Sequence, residues 1–172
     1  MAYFAAALAR TDSGWSGQEL ELKGVEDLDG VVEELRRVAE DDAGTLLLFV
    51  EEDDEWFGVV RLDDDSDPRA FLSDGRAVET SELGALIGEA ATVTDGDDDD
   101  DAGDEDDEEE EEAAIRVAGD PVGDAELLAD LGTPSKRLLA LCAEEGQLPA
   151  DIISSLCESA GCLEVLEELR VT

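Results

Sequence analysis

The stretch TLLLFVEEDDEWFGVVRL, residues 45–62, decides the fold of this chain. Residues 45–50 are apolar or β-branched throughout, which is typical of a strand that is buried on both faces. A second apolar run follows at 56–62, and the acidic residues 51–55 between the two runs predict a turn. We therefore predict a β-hairpin in this part of the chain.

Strand and helix signals continue on both sides of this hairpin. Short apolar or alternating runs predict three more strands, at 3–10, 14–22 and 69–73. Apolar residues at i, i+3, i+4 and i+7 spacing predict two helices, at 28–39 and 81–91, and Asp27 is a suitable N-cap for the first. The order ββαβββα implies an α+β fold, in which helices pack against one antiparallel sheet.

An acidic block at 95–112 follows the second helix. It contains 15 of the 50 acidic residues of the chain and no basic residue, and Ala102 is its one hydrophobic residue. Such a segment cannot bury enough apolar surface to offset the entropy lost on ordering, and its charges repel one another. We therefore predict an acidic disordered linker here, between an α+β domain at 1–94 and a small helical domain at 113–172.

The sequence after the block predicts a small helical bundle. Thr133 is a suitable N-cap with Pro134 after it, and Pro149 is suited to begin a later helix. Gly146 and Gly161 are suited to end helices. A bundle of about 50 residues is marginally stable alone, so we expect it to pack on the N-terminal domain or on a partner. The four apolar stretches with helical spacing lie at 124–131, 134–142, 149–161 and 163–169.

Composition excludes several classes of function. The chain has 172 residues, of which 50 are acidic, 11 are basic and none is histidine, so its net charge is −39. Binding to nucleic-acid phosphates requires Lys and Arg, and anionic membranes repel an acidic surface. Without histidine, the chain has no imidazole base for a nucleophilic triad and no histidine ligand for zinc. We also predict no membrane helix and no signal peptide.

The sequence predicts no catalytic, cofactor or metal site. Two aspartate-rich stretches, at 63–74 and 97–101, approach the spacing of an EF-hand loop but lack its turn glycine. Cys142, Cys157 and Cys162 form no Cys-x-x-Cys pair, which indicates a reducing environment and a cytoplasmic protein. We interpret these cysteines as small buried hydrophobic residues. An enzyme that uses carboxylates alone stays an alternative, and it would need two convergent acids in an apolar pocket.

The end of the hairpin is the candidate partner-binding site. Aromatic side chains often anchor protein interfaces, and acidic neighbours favour a basic partner. Successive side chains of a strand point to opposite faces, so at least one of the two aromatic rings here belongs to the core. Core and interface therefore both stay open for these rings. The predicted site residues are Trp56, Phe57, Glu51, Glu52, Asp53 and Asp54.

The acidic block has two interpretations of its own. Eighteen extended residues span at most about 60 Å, so the block carries about one charge per 4 Å. A single nucleic-acid strand carries about one charge per 3.4 Å. The block is therefore either a solubilising spacer or an imitation of phosphate that occupies a basic groove of another protein.

Several segments together carry a resemblance to a known family. They read MAYFAA at 1–6, DDEWF at 53–57, DPR at 67–69, GDAELLADLG at 123–132 and LALCAEEG at 139–146. The chain resembles the tRNA adenosine deaminase-associated proteins of actinobacteria. This resemblance implies a link with tRNA adenosine deaminase, which makes inosine in the anticodon, and it implies no catalytic residues. The chain lacks the His-x-Glu and Pro-Cys-x-x-Cys motifs of zinc deaminases.

Two functional hypotheses follow from charge, motifs and resemblance. The first is a non-enzymatic acidic accessory protein in tRNA modification, which binds a basic protein partner such as the deaminase and needs no cofactor. The second is a nucleic-acid mimic that inhibits or regulates a basic nucleic-acid-binding protein. Neither hypothesis involves direct binding to nucleic acid or to a membrane.

Overall fold

A six-stranded antiparallel sheet forms the centre of the computed structural model, in the order β2-β1-β3-β4-β5-β6. The structure describes residues 3–38, 44–52, 55–63, 68–98, 121–144 and 147–171, with only the backbone for 92–98 and 171. The strands are β1 (Tyr3–Thr11), β2 (Gly14–Glu19), β3 (Thr45–Glu52), β4 (Trp56–Asp63), β5 (Arg69–Leu72) and β6 (Val122–Gly123). The helices are α1 (Leu28–Val38), α2 (Ala77–Thr80), α3 (Glu82–Asp98), α4 (Ser135–Ala143), α5 (Pro149–Ala160) and α6 (Leu163–Val171).

The predicted hairpin lies in the middle of this sheet. β3 pairs with β4, and Glu52 lies opposite Trp56 across the hairpin end. β1 covers the other edge of β3, so every residue of β3 from Leu46 to Glu52 is buried. The five strands predicted from the sequence and the α+β class are confirmed. β6 was not predicted, because its two residues are too few to show an alternating pattern.

Helices α1, α2 and α3 cover the first face of the sheet, which carries Ala7, Leu48 and Val60. β1 presents Ala5, Ala7 and Ala9 to this face, after Tyr3 at its start, and these small side chains leave room for α1 to pack closely. α1 starts as predicted, because the backbone N–H of Gly30 donates to Oδ1 of Asp27 at 2.9 Å. None of the helices in the described parts of the chain is long and apolar enough to cross a membrane.

The C-terminal residues cover the second face of the sheet, which carries Leu47, Phe49, Phe57 and Phe71. Alternation along β3, β4 and β5 sends these side chains away from α1–α3. A core of fully buried leucine, isoleucine and cysteine side chains packs on them, namely Leu127, Leu128, Leu138, Ile153, Leu156, Cys157, Cys162 and Leu166. The sequence predicted that the C-terminal helices pack on the N-terminal domain or on a partner. In the structure, they pack on the sheet of the N-terminal domain.

Three ion pairs join the sheet to this C-terminal layer. The Arg61 guanidinium donates to both carboxylate oxygens of Asp130, at 2.5 and 2.8 Å, and also to the carbonyl oxygen of Leu127. Arg69 donates to Asp124 at 3.1 Å, and Arg170 donates to Glu51 at 2.7 Å. The hydrogen bond with Arg61 lowers the pKa of Asp130, and the same bond raises the pKa of Arg61 against the opposing effect of burial.

The predicted α-helix at 124–131 is wrong. This segment is a series of turns that ends in a 3₁₀ helix, Ala129–Leu131. Arg61 binds the carbonyl oxygen of Leu127, and the N–H of Leu131 donates to Leu128 instead, at 3.0 Å. Gly132 then reverses the chain at a φ of 98°. The bundle therefore has three α-helices in the described residues, not four.

The predicted helix boundaries after this turn are partly correct. Thr133 is not an N-cap, because Pro134 occupies that position with an extended backbone and α4 begins at Ser135. Pro149 is the first residue of α5, and the left-handed Gly161 ends it, both as predicted. Gly146 lies outside the described residues.

The cysteines are free and shielded from solvent, in agreement with the sequence. Cys157 and Cys162 are buried, and Cys142 is half-buried. A hydrogen bond with Cys162 and burial raise the pKa of Cys157, and burial raises the pKa of Cys142 to about 12. The thiols of Cys142 and Cys157 therefore stay protonated at neutral pH and are poor nucleophiles.

Helix α3 and strand β6, which lie on the two sides of the acidic segment in the sequence, are neighbours at one edge of the sheet. Helix α3 continues through Asp98, so the first four residues of the predicted block are helical. A Cβ added to Gly123 in β6 would lie 3.0 Å from Cβ of Ala91 in α3. The elements that precede and follow the acidic segment therefore contact each other at Ala91 and Gly123. Residues 99–112 lie outside the described part, and the domain boundaries at 94 and 113 stay a prediction.

The Arg61 contact leads to a stability prediction. We expect Asp130→Ala to reduce the free energy of unfolding by about 1–2 kcal/mol, because the buried Arg61 guanidinium loses its main partner. The expected loss is not larger because Asp130 is exposed, and an exposed carboxylate contributes less to stability than a buried one. Urea denaturation measures this change. Glu167→Ala on the exposed side of α6 is the control, and equal stability of the two variants would contradict the proposed importance of the contact.

The pH dependence of the same contact has a defined sign. The pKa of Asp130 is lowered in the folded protein, so its contribution is present above the unfolded pKa, near about 4. This contribution is lost as the pH falls through the folded pKa. We therefore expect the stability difference between wild type and Asp130→Ala to shrink below about pH 4. Urea titrations of both proteins across this range measure it, and a constant difference would contradict the sign.

The contact between α3 and β6 predicts that much of the acidic segment is dispensable for folding. Deleting residues 99–112 removes only acidic residues, Ala102 and Gly103, and roughly halves the connection between Ala91 and Gly123. Halving a loop lowers its closure cost by about 0.6 kcal/mol, and less charge repulsion adds to this. We expect an equal or higher melting temperature by circular dichroism. A clear loss of stability would contradict the prediction.

Candidate functional site

The end of the β3–β4 hairpin places its aromatic and acidic residues on two different faces. Glu52 and Trp56 are paired across the hairpin and point to the first face, whereas Glu51 and Phe57 point to the second. The N–H of Glu55 donates to the carbonyl oxygen of Glu52 at 3.0 Å and closes the turn. The six predicted site residues therefore do not form one surface.

Glu51 and Phe57 act inside the protein. Phe57 is fully buried, and its ring centroid lies 6.2 Å from that of Phe71. Glu51 binds Arg170, whose guanidinium lies 4.6 Å above the ring of Phe4. These contacts attach α6 to the sheet, so Glu51 and Phe57 have a structural role. Asp53 and Asp54 lie outside the described residues.

Trp56 and Glu52 line a surface cleft of about 390 Å³, which we call the Trp56 cleft. The Trp56 residue is 4 % exposed, and its Nε1 donates to Oε1 of Glu52 at 3.1 Å. This bond fixes the position of the carboxylate at the edge of the buried ring. The complete lining consists of Glu52, Glu55, Trp56, Asp74, Arg76, Ala77 and Thr80.

The side of the cleft opposite the hairpin comes from the segment that leads into α2. The guanidinium of Arg76 binds the carboxylate of Asp74, with Nη2 at 2.7 Å and Nε at 3.1 Å from its oxygens. Burial alone raises the pKa of Asp74, but hydrogen bonds from Arg76 outweigh it and hold this pKa below its usual range. The lining contains three carboxylates and one guanidinium, that of Arg76, which already has a carboxylate partner. The lining therefore carries a net negative charge.

Sequence reasoning did not identify Asp74, Arg76, Ala77 and Thr80. They reach Trp56 because β5 pairs with β4 and brings the following residues beside the hairpin. The N–H of Phe57 donates to Oγ of Ser73 at 2.9 Å, and the N–H of Ser73 donates back to Phe57. No local pattern encodes this pairing, so only the strand register could have revealed the second side of the cleft.

A second acidic groove of about 590 Å³ lies on the same face of the sheet. Three carboxylates surround an apolar floor between α3 and the loop before α1. Glu89 also accepts the N–H of Leu28 at 3.2 Å, which ties this groove to the start of α1. The lining residues are Gly24, Val25, Glu26, Glu82, Ala85, Leu86 and Glu89. The first-face side of the molecule therefore carries two acidic concavities.

The described residues contain no candidate metal site. Within them, no group of three or more cysteine, aspartate and glutamate side chains converges in a way that could hold one. Residues 64–67 and 99–101 of the two aspartate-rich stretches lie outside the described part. The Trp56 cleft can instead bind a cationic group of another molecule, through its carboxylates and beside an indole ring.

Comparison with known proteins adds a family to this geometry. Neither the curated proteins nor the solved structures gave a significant match. A family model described as Rv3753c-like tRNA adenosine deaminase-associated protein matches residues 3–163, which include the whole sheet and the helices α1 to α5. The chain therefore belongs to the Rv3753c-like tRNA adenosine deaminase-associated protein family.

Proposed function

We propose that this protein is a non-enzymatic accessory protein that binds a basic surface of tRNA adenosine deaminase through the Trp56 cleft. The acidic lining of this cleft is the observation that carries the proposal, and the family description supplies the partner. The cleft is built on the paired ends of β3, β4 and β5, and hydrogen bonds from Trp56 and Arg76 hold the carboxylates of Glu52 and Asp74 in place before binding. Such preorganisation reduces the entropy that binding costs.

The charges of the cleft fit a lysine or arginine side chain of the partner. One oxygen of Glu52 already accepts the Trp56 Nε1 hydrogen, and its second oxygen can accept another bond. Glu55 is exposed at the hairpin turn and Asp74 faces it from the α2 side. An incoming guanidinium or ammonium group would meet carboxylates on two sides.

The charge of the whole chain supports the same partner. A net charge of −39 creates a long-range field that accelerates encounter with a basic protein and repels nucleic acid. The field alone gives little specificity, so the cleft has to select the partner. An accessory role also agrees with the missing zinc-deaminase motifs, since the deaminase itself supplies the catalytic site.

Binding to the purified deaminase tests this proposal directly. We expect isothermal titration calorimetry to detect a complex whose affinity falls as NaCl is raised, because salt screens charge pairs that are partly exposed. The full chain should be used. The lack of a complex at low ionic strength would contradict the proposal.

A charge reversal tests the location of the site. We expect Glu55→Lys to weaken binding about tenfold, which corresponds to about 1.4 kcal/mol, because it places a cation at the mouth of the Trp56 cleft. Glu167→Lys is the matched control, since it makes the same change on α6 in the layer on the second face. Equal effects of the two variants would show that only net charge matters.

Deletion of residues 99–112 distinguishes the second hypothesis. If the acidic block imitates phosphate, the deletion should abolish binding and Glu55→Lys should leave it nearly unchanged. If the Trp56 cleft recognises the partner, the deletion should slow association and preserve most of the affinity. Competition between this protein and tRNA for the deaminase, measured with both variants, separates the two results.

A further inference from the structure

Helix α4 presents an unusually apolar surface to solvent. Leu138 is its one fully buried residue, whereas Leu139 is 43 % exposed and Ala140 and Ala143 are exposed beside it. Leu148, which is 48 % exposed, follows four residues after Glu144. Leu139 and Leu148 are the large hydrophobic residues with the greatest exposure in the described chain. Both lie in this one short segment.

The charges at the ends of α4 run against the helix dipole. Lys136 and Arg137 lie in its first turn, and Glu144 caps its C-terminal end. Helices favour the opposite order, with acids at the N-terminus and bases at the C-terminus. All three residues are exposed, and none of them forms an ion pair within the described part of the structure. Ion pairs among the described residues therefore do not explain this order.

We propose that α4 is the contact between two copies of this chain, which pair antiparallel about a two-fold axis near Ala140. Lys136 and Glu144 are each four residues from Ala140, about 6 Å along the helix axis. In an antiparallel pair, Lys136 of each copy therefore lies opposite Glu144 of the other. Symmetry repeats the ion pair at both ends, as in other isologous interfaces.

The side chains of α4 fit such a close pairing. Ala140 is small at the crossing point and lets the two helices approach, and Leu139 flanks it on each copy. Lys136, Leu139, Ala140 and Ala143 follow i, i+3, i+4 and i+7 spacing, so they share one face of the helix. This face carries a base at the N-terminal end of α4 and an acid at its C-terminal end. A second copy of α4 that runs antiparallel places its acid beside this base and its base beside this acid.

The size of the contact sets its strength. A stable dimer usually buries about 800 Å² on each partner, and one nine-residue helix offers less. Repulsion between two chains of −39 opposes association further, although it is screened beyond about 8 Å at 0.15 M ionic strength. We therefore expect a weak dimer with a dissociation constant of about 10–100 µM. This dimer does not depend on which partner occupies the Trp56 cleft.

Sedimentation equilibrium over a range of protein concentrations tests the proposal. We expect reversible dimerisation of the wild type, and at least about tenfold weaker association for Leu139→Glu. Lys136→Glu alone should also weaken association, and the double variant Lys136→Glu with Glu144→Lys should restore it. Lys136→Glu makes the charge order agree with the helix dipole, so loss of folding would not explain its effect. Glu167→Lys is the control.

Three results would overturn the proposal. The first is a wild type that stays monomeric at the highest concentration. The second is a dimer that is unaffected by Leu139→Glu. The third is a monomeric wild type whose binding to the deaminase is lost in Leu139→Glu, which would make α4, instead of the Trp56 cleft, the surface for the deaminase. A monomeric wild type that binds the deaminase through the cleft would overturn the dimer alone, so the two proposals can fail separately.

Discussion

The buried guanidinium of Arg61 is the contact on which the arrangement of the C-terminal layer depends. It extends from β4 into the second core, where it binds Asp130 and the Leu127 carbonyl. An unpaired charge at this depth is strongly unfavourable, so the 3₁₀ turn has to stay against the sheet. Once the turn is fixed, α4, α5 and α6 cover the apolar second face, which otherwise would be exposed to water.

The same principle explains how so acidic a chain folds. The described arginines that meet carboxylates reduce repulsion inside the molecule, and three of these pairs bridge the sheet and the C-terminal layer. Other acids line the surface, among them three in the Trp56 cleft and three in the groove between α3 and the loop before α1. Arg61, Arg69 and Arg170 thus hold the two layers together, while the acids of the cleft and the groove are available to a partner.

The sequence predicted the features that depend on neighbouring residues. Strand periodicity, the Asp27 cap, and the Pro149 and Gly161 signals are local, and they agree with the structure. The 3₁₀ turn and β6 depend on residues far away in the sequence, namely Arg61 and β5. The candidate site was predicted in part for the same reason. Glu52 and Trp56 line the cleft, but its α2 side arises from strand pairing.

The positions of the two proposed surfaces permit both to function at once. The Trp56 cleft opens beside the helices of the first face, whereas α4 belongs to the layer that packs on the second face through Leu138. Pairing through α4 would therefore leave the cleft of each copy accessible. A dimer with two clefts could bind an oligomeric basic partner at two points, which raises the overall affinity without any new contact if the spacing of the sites matches. A weak α4 contact would then be strengthened by the partner, because binding in both clefts holds the two copies together.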